Sequence, residues 1–270
     1  MASFVDSYGE WAVVLGASEG LGEAFAAGIA ARGINVVVAA RRSGPLGQVA
    51  DGIASAHDVQ TRAVTLDLSD PGFLGDLRTA TDGLEVGLVV YNATGVYTGE
   101  FEDQPVASMS SMVAINCLGP LVVCEHFGRS MIERGRGGVV LMSSGAGLAG
   151  CPYNAAYAAS KAFDLVLGES LWSEWRRYGV DVMSVIGPAM DTPTFRATMT
   201  PEVLAMTPPP MALDLVVEEV LGAIGSCPSF VPGQINRELL AALGALPRSQ
   251  QVDALATAHA GFAKRRQTDS

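Results

Sequence analysis

Short apolar runs rich in valine recur along the chain at 11–16, 34–40, 60–66, 86–92, 138–144 and 180–186. Their near-continuous hydrophobicity predicts strands buried on both faces, as in a parallel sheet covered by helices. Between them, 21–31, 71–81, 106–133 and 155–178 have the composition and length of helices. Strand and helix in alternation predict a doubly wound α/β fold with right-handed crossovers. The segment 191–211 breaks the rhythm with five prolines and three methionines, Met199, Met206 and Met211. It is expected to form a long excursion, a substrate loop or lid at about 191–213, with Phe195 and the methionines giving an adaptable apolar surface. Beyond it, 213–225 is expected as a helix, 229–231 as a last strand, and 238–263 as a helix within a C-terminal tail at about 236–270 that frays at its end.

The chain has 270 residues, 49% of them hydrophobic, enough for one sizeable core, so a single domain spanning 1–270 is expected. Seventeen Lys and Arg against 28 Asp and Glu give a formal net charge of -11, which disfavours nucleic acid and anionic membrane surfaces as partners. Cys117, Cys124, Cys151 and Cys227 form no C-x-x-C pair, and the opening MASFVDSYGEW lacks a secretory pattern. With every apolar run broken short of the ~18 to 20 residues needed to span a bilayer, a reduced, cytoplasmic setting is expected. His57, His126 and His259 are scattered without ligand spacing, so no metal is expected and all three are assigned structural or surface places.

The first strand runs directly into GASEGLG, which supplies Gly16, Ser18, Gly20, Leu21 and Gly22 ahead of a helix. Strand, glycine turn and helix N-terminus together form a site for a pyrophosphate, as in Rossmann-type dinucleotide-binding domains. An NAD site usually places an acidic residue at the end of the second strand. Here Ala40 is followed by Arg41 and Arg42, whose planar forks suit the 2′-phosphate of NADP, with Glu19 as an opposing negative charge nearby. Farther on, Ser144 ends a strand, and Tyr157 and Lys161 of YAASK share one face of a helix. An ammonium beside a phenol favours the phenolate, so Tyr157 is the candidate general acid or base.

In this order and spacing, the residues resemble the short-chain dehydrogenase/reductase family over 11–192. The serine thirteen residues before the tyrosine is Ser144 rather than Ser143. The resemblance implies that Asn116, in INCLG, completes a catalytic tetrad by holding a water that links Lys161 to solvent. It also implies cofactor contacts by Asp67 and Leu68 to the adenine, by Asn92, by Tyr157 and Lys161, and by Thr192 to the nicotinamide carboxamide. Two departures lie beside the cofactor site: Thr94 stands where a glycine is usual, and Gly187-Pro188 reverses the usual Pro-Gly. SYGEWAVVLGASEGLGEAF and SFVPGQINRE are similar to a subgroup, bacterial NADPH-dependent 7β-hydroxysteroid dehydrogenases, which act on bile acids.

The expected activity is therefore NADP(H)-dependent hydride transfer to or from a small-molecule ketone or secondary alcohol, with a hydroxysteroid or other bulky alicyclic substrate. The alternatives are a 3-oxoacyl-thioester or small-carbonyl reductase and, from another class, an NADP-sensing protein without turnover. An acidic surface offers no dock to an acidic acyl carrier protein, and an intact tetrad has no purpose in a sensor. Family likeness further implies a homodimer or homotetramer, assembled through the helices at 106–133 and 155–178.

Overall fold

The computed structural model describes residues 3–198 and 209–263. Seven parallel strands form one sheet: β1 (Trp11–Leu15), β2 (Asn35–Ala40), β3 (Thr61–Thr65), β4 (Val86–Tyr91), β5 (Gly137–Ser144), β6 (Val180–Gly187) and β7 (Ser229–Phe230). Their order is β3-β2-β1-β4-β5-β6-β7. All six predicted runs and the short last strand are present, and the doubly wound Rossmann-type architecture is the one expected.

The strands are apolar on both sides because both sides are covered. Val13, Leu15, Val37, Ala39, Val89, Tyr91, Val139, Leu141 and Val182 point to one face; Ala12, Val14, Val36, Val38, Leu88, Val90, Val140, Met142, Met183 and Val185 point to the other. The first face packs on α4 (Phe73–Thr81), α6 (Gly119–Arg134) and α7 (Ala155–Trp175). The second packs on α2 (Gly20–Ala30), α3 (Ser43–Ala56) and α9 (Leu213–Ala223). A five-residue helix, α1 (Phe4–Tyr8), precedes β1, and the Tyr8 hydroxyl donates to Asp181 Oδ2 at 2.9 Å.

Helix α3 is absent from the sequence reading, because SGPLGQVADGIASA carries three glycines and a proline. Its buried residues, Leu46, Val49, Ala50 and Ile53, nevertheless follow helical spacing. Burying a Leu, Val or Ile contributes roughly 1.5–3 kcal/mol each, against about 1 kcal/mol lost per helical glycine, so packing wins. Pro45 sits in the first turn, where its missing N–H costs nothing.

The expected helix at 106–133 is instead α5 (Val106–Val113), a π-turn (Ala114–Leu118) and α6. Tyr91 accounts for the interruption: its hydroxyl donates to Ile115 O at 2.6 Å, and a Cβ on Gly119 would stand 2.0 Å from that hydroxyl. The expected tail helix is likewise two, α10 (Gln234–Gly244) and α11 (Arg248–Ala263), separated where Pro247 cannot donate to the preceding turn. Helix α8 (Pro193–Thr198) opens the proline-rich excursion. The neck of that excursion is closed by Asp191 N donating to Met211 O and Met211 N to Ala189 O. Met199 and Met206 lie outside the described residues.

With β1 between β2 and β4, successive crossovers leave to opposite faces, and a crevice opens at the carboxyl ends of β1 and β4. In open α/β sheets this is where ligands bind.

Candidate active site

A cleft of about 1480 Å³ occupies that crevice and extends past the ends of β5 and β6. Its floor is the glycine turn. Gly16 has φ +82°, and a Cβ there would stand 2.6 Å from Ala93 Cα; one on Gly22 would stand 2.0 Å from Gly16 O. Asn92 Nδ2 donates to Gly16 O at 3.0 Å and so ties the ends of β1 and β4 together. Gly16, Ser18, Gly20 and Leu21 line the cleft, with the N-terminus of α2 facing into it, while Gly22 stands behind as the close-packing residue.

The far end of the cleft is basic. Arg41 and Arg42 line it, both exposed. Arg42 Nη2 donates to Ser18 Oγ at 3.2 Å and pairs with Glu19 Oε1 at 2.9 Å. Asp67 and buried Leu68 complete this wall. The Asp67 carboxylate accepts from the Ser69 N–H and hydroxyl at 2.9 and 2.8 Å, and these bonds hold it below the usual carboxylate range, with the Arg41 charge adding to the effect.

The other end carries the reactive groups. Strand alternation separates the two serines closing β5: Ser143 is buried, its hydroxyl donating to Lys161 O at 2.7 Å, whereas Ser144 faces the cleft. Ser144 Oγ accepts from Ala146 N at 3.3 Å, which leaves its proton available to a ligand. Tyr157, in the first turn of α7, lines the same wall. Just upstream, Tyr153 holds φ +65°, a left-handed conformation rare for such a residue, and its carbonyl accepts from Gly99 N at 2.8 Å.

Lys161 and Asn116 stand behind the cleft wall rather than in it. The Lys161 ammonium is buried 5.9 Å from the centroid of the Tyr157 ring, donating to Met142 O at 2.7 Å and to Asp164 Oδ2 at 3.0 Å. Asn116, in the π-turn, accepts from Gly95 N at 2.7 Å and donates to Gly95 O and Ser160 Oγ, both at 2.9 Å. Gly95, the residue after Thr94, is thus held by Asn116 through both its N–H and its carbonyl. At the second departure, Gly187 pairs with Ser144 across β5 and β6, where a Cβ would come within 3.3 Å of Ser143 O. Thr192 lines the cleft above Gly20, and its Oγ1 accepts from Phe195 N at 3.0 Å, capping α8.

Sequence reasoning missed the outer wall. Asn236, Leu239 and Leu240 of α10 and Leu255, Ala258 and His259 of α11 line the cleft, as does Met190; Phe195, expected in the substrate loop, lines it with them. His259, assigned to a structural or surface place, thus stands in the wall, its Nδ1 2.9 Å from Leu255 O. The apolar positions 239, 240 and 243 of α10 were the available signal.

The family model for short chain dehydrogenases matches residues 10–202. The chain belongs to that family and is an oxidoreductase acting on CH–OH groups. It is 33% identical over 243 residues to a 7β-hydroxysteroid dehydrogenase of Collinsella aerofaciens, covering 86% of this chain and 89% of the relative. It is 35% identical over 231 residues to a very-long-chain 3-oxoacyl-CoA reductase of Aspergillus clavatus, covering 82% of this chain and 65% of that longer protein. A solved structure from work on 7β-hydroxysteroid dehydrogenase stereoselectivity superposes with a TM-score of 0.88 at 30% identity, covering 94% of this chain and all of that one.

Proposed function

We propose that this protein is an NADP(H)-dependent reductase or dehydrogenase of a hydroxysteroid or another bulky alicyclic ketone and alcohol pair. The observation that carries the reading is one cleft with a glycine turn and two arginines at one end and Ser144 with Tyr157 at the other. The residues fit the cofactor: side chains on Gly16 and Gly22 would fill the cradle, and Arg41 and Arg42 stand where a 2′-phosphate requires cations. When bound, NADP(H) supplies or accepts the hydride.

In the reductive direction Tyr157 gives its hydroxyl proton to the carbonyl oxygen, and Ser144 donates a hydrogen bond to the same oxygen as charge develops on it. Lys161 sets the electrostatic field at the tyrosine. Asn116 clamps the Gly95 loop to Ser160, whose hydroxyl donates to Tyr157 O at 2.7 Å, and so fixes the turn that carries the acid. Asp67, Leu68, Asn92 and Thr192 hold the cofactor along the strand ends.

The wall beyond Tyr157 supports this substrate class, since Leu239, Leu240, Leu255, Phe195 and Met190 offer a broad apolar surface there. Likeness to the fungal reductase favours, as a second reading, a 3-oxoacyl thioester. NADPH and NADH consumption with 7-oxo, 3-oxo and 17-oxo steroids, an acetoacetyl thioester and simple cyclic ketones separates the two. Turnover of a steroid ketone with NADPH preferred supports the main reading; turnover of the thioester alone replaces it.

Val106–Arg134 is long and apolar enough to cross a membrane by length and composition, with a mean hydropathy of 1.7 over its most apolar 18 residues. Its Val123, Phe127 and Met131 pack on the sheet, while Val113, Leu118 and Leu121 face outward, as Val166 does on α7. These exposed apolar side chains support a homodimer or homotetramer interface in a cytoplasmic protein.

A further inference from the structure

The structure assigns to Asp164 a positioning role in the proposed reaction: its carboxylate draws the Lys161 ammonium inward and sets how much positive charge reaches Tyr157. This inference rests on the proposed acid function of Tyr157. Lys161 and Asp164 are 3% and 1% exposed, and their ion pair closes at 3.0 Å beneath the end of β5. The backbone carrying both groups is held on either side: Ser143 donates to Lys161 O, and Ser184 donates to Asp164 O at 2.9 Å. The geometry therefore allows the ammonium little travel.

A buried ion pair contributes little net stability, because desolvation offsets the attraction, so the pair has its main consequence in the local field. Asp164 Oδ1 is buried without a hydrogen-bond partner among the described residues, which leaves the carboxylate dependent on Lys161. Burial pushes Asp164 up to about 6, opposed by the lysine charge, so it is ionised above neutrality. The other titratable groups facing it are Tyr91 on β4, Cys117 in the π-turn and Cys124 on α6, each pushed up first by burial and then by the Asp164 charge. They remain neutral where a carboxylate is charged, so Lys161 is the charge that Asp164 answers.

An ammonium stabilises a nearby phenolate, and a carboxylate 3.0 Å from that ammonium cancels part of the effect. The ammonium stands 5.9 Å from the ring, so a neutral residue at 164 should leave more of its charge to act on the phenol.

The test is a spectroscopic pH titration of phenolate absorbance in the full chain, run for wild type and Asp164→Asn, each with and without Tyr157→Phe to isolate the one tyrosine. The onset of the Tyr157 phenolate should move to lower pH in Asp164→Asn, and Asp164→Glu should restore it. Should Asp164→Asn not fold, Asp164→Leu removes the same charge with an apolar side chain of the same branching, and the same displacement is expected. An unmoved onset in a folded variant overturns the inference. The titration needs no substrate, so an inactive wild type would refute the proposed function without touching this result. If turnover is present, the matching limb of its pH profile should move with the titration.

Discussion

Substituting Gly16 by Ala should separate the geometry of the glycine turn from backbone strain alone, with Gly33→Ala as its control. The two glycines have nearly the same backbone, φ +82° and +84°. An L-residue held there costs about 1–2 kcal/mol in either place. Their surroundings differ. A Cβ on Gly33 meets only Val5 Cγ2 at 3.6 Å, an ordinary contact, whereas on Gly16 it meets Ala93 Cα at 2.6 Å and Ala93 N at 2.7 Å. Backbone cannot rotate aside, so the ends of β1 and β4 must part, at a further cost of roughly 1–3 kcal/mol. For a chain of this size each kcal/mol lowers Tm by about 2–4 °C. Gly33→Ala should therefore lose roughly 2–8 °C in a thermal melt and keep its NADPH affinity. Gly16→Ala should lose more and bind NADPH at least about tenfold more weakly in a fluorescence titration, since the distortion lies in the pyrophosphate cradle. Unchanged NADPH binding in Gly16→Ala, or an equal loss in Gly33→Ala, would refute the reasoning.

Arg42→Ala should raise the Kd for NADPH by about 10- to 100-fold and leave that for NADH nearly unchanged, as equilibrium titrations with both cofactors would read. Glu19→Gln should act in the opposite sense, because it removes the carboxylate that pairs with Arg42 at 2.9 Å and competes for it; an unchanged preference for NADPH would show that the exposed pair is too well screened to matter. Stability should also change with pH in one direction. Burial raises Asp164 from 3.8 to about 6, so the folded state holds its proton more tightly than the unfolded chain. The resulting stabilisation is complete below 3.8 and is lost as pH rises through about 6. Urea midpoints of Asp164→Asn should therefore gain on wild type across that window and hold level above it.

The sheet was legible because each strand is buried on both faces and leaves an unbroken apolar run, and the glycine turn because three glycines follow the first run directly. Helix α3 was hidden: glycine and proline lower its propensity, and only the spacing of Leu46, Val49 and Ile53 betrays it. The π-turn at Asn116 was hidden for a different reason, since it depends on a hydrogen bond from Tyr91, a residue on another strand. Positions 144 and 157 could be paired by spacing, and the structure sets both in one cleft wall. Lys161 could not be placed that way. Sharing a helix face with Tyr157 suggested that the two head groups sit side by side, but the direction of the ammonium is decided by Asp164 one turn farther on and by Met142 O on the neighbouring strand. The outer wall from α10 and α11 depends on how the chain returns after residue 233, a matter of tertiary packing that periodicity alone does not encode.

The most direct test of the central claim is NADPH-dependent reduction of a 7-oxo steroid by wild type and Tyr157→Phe, with NADPH binding measured on the same preparations. Wild type should turn the ketone over, and the variant should show an unchanged NADPH Kd with kcat lowered by at least about 100-fold, the usual scale of a lost general acid. Near-wild-type turnover in Tyr157→Phe would contradict it.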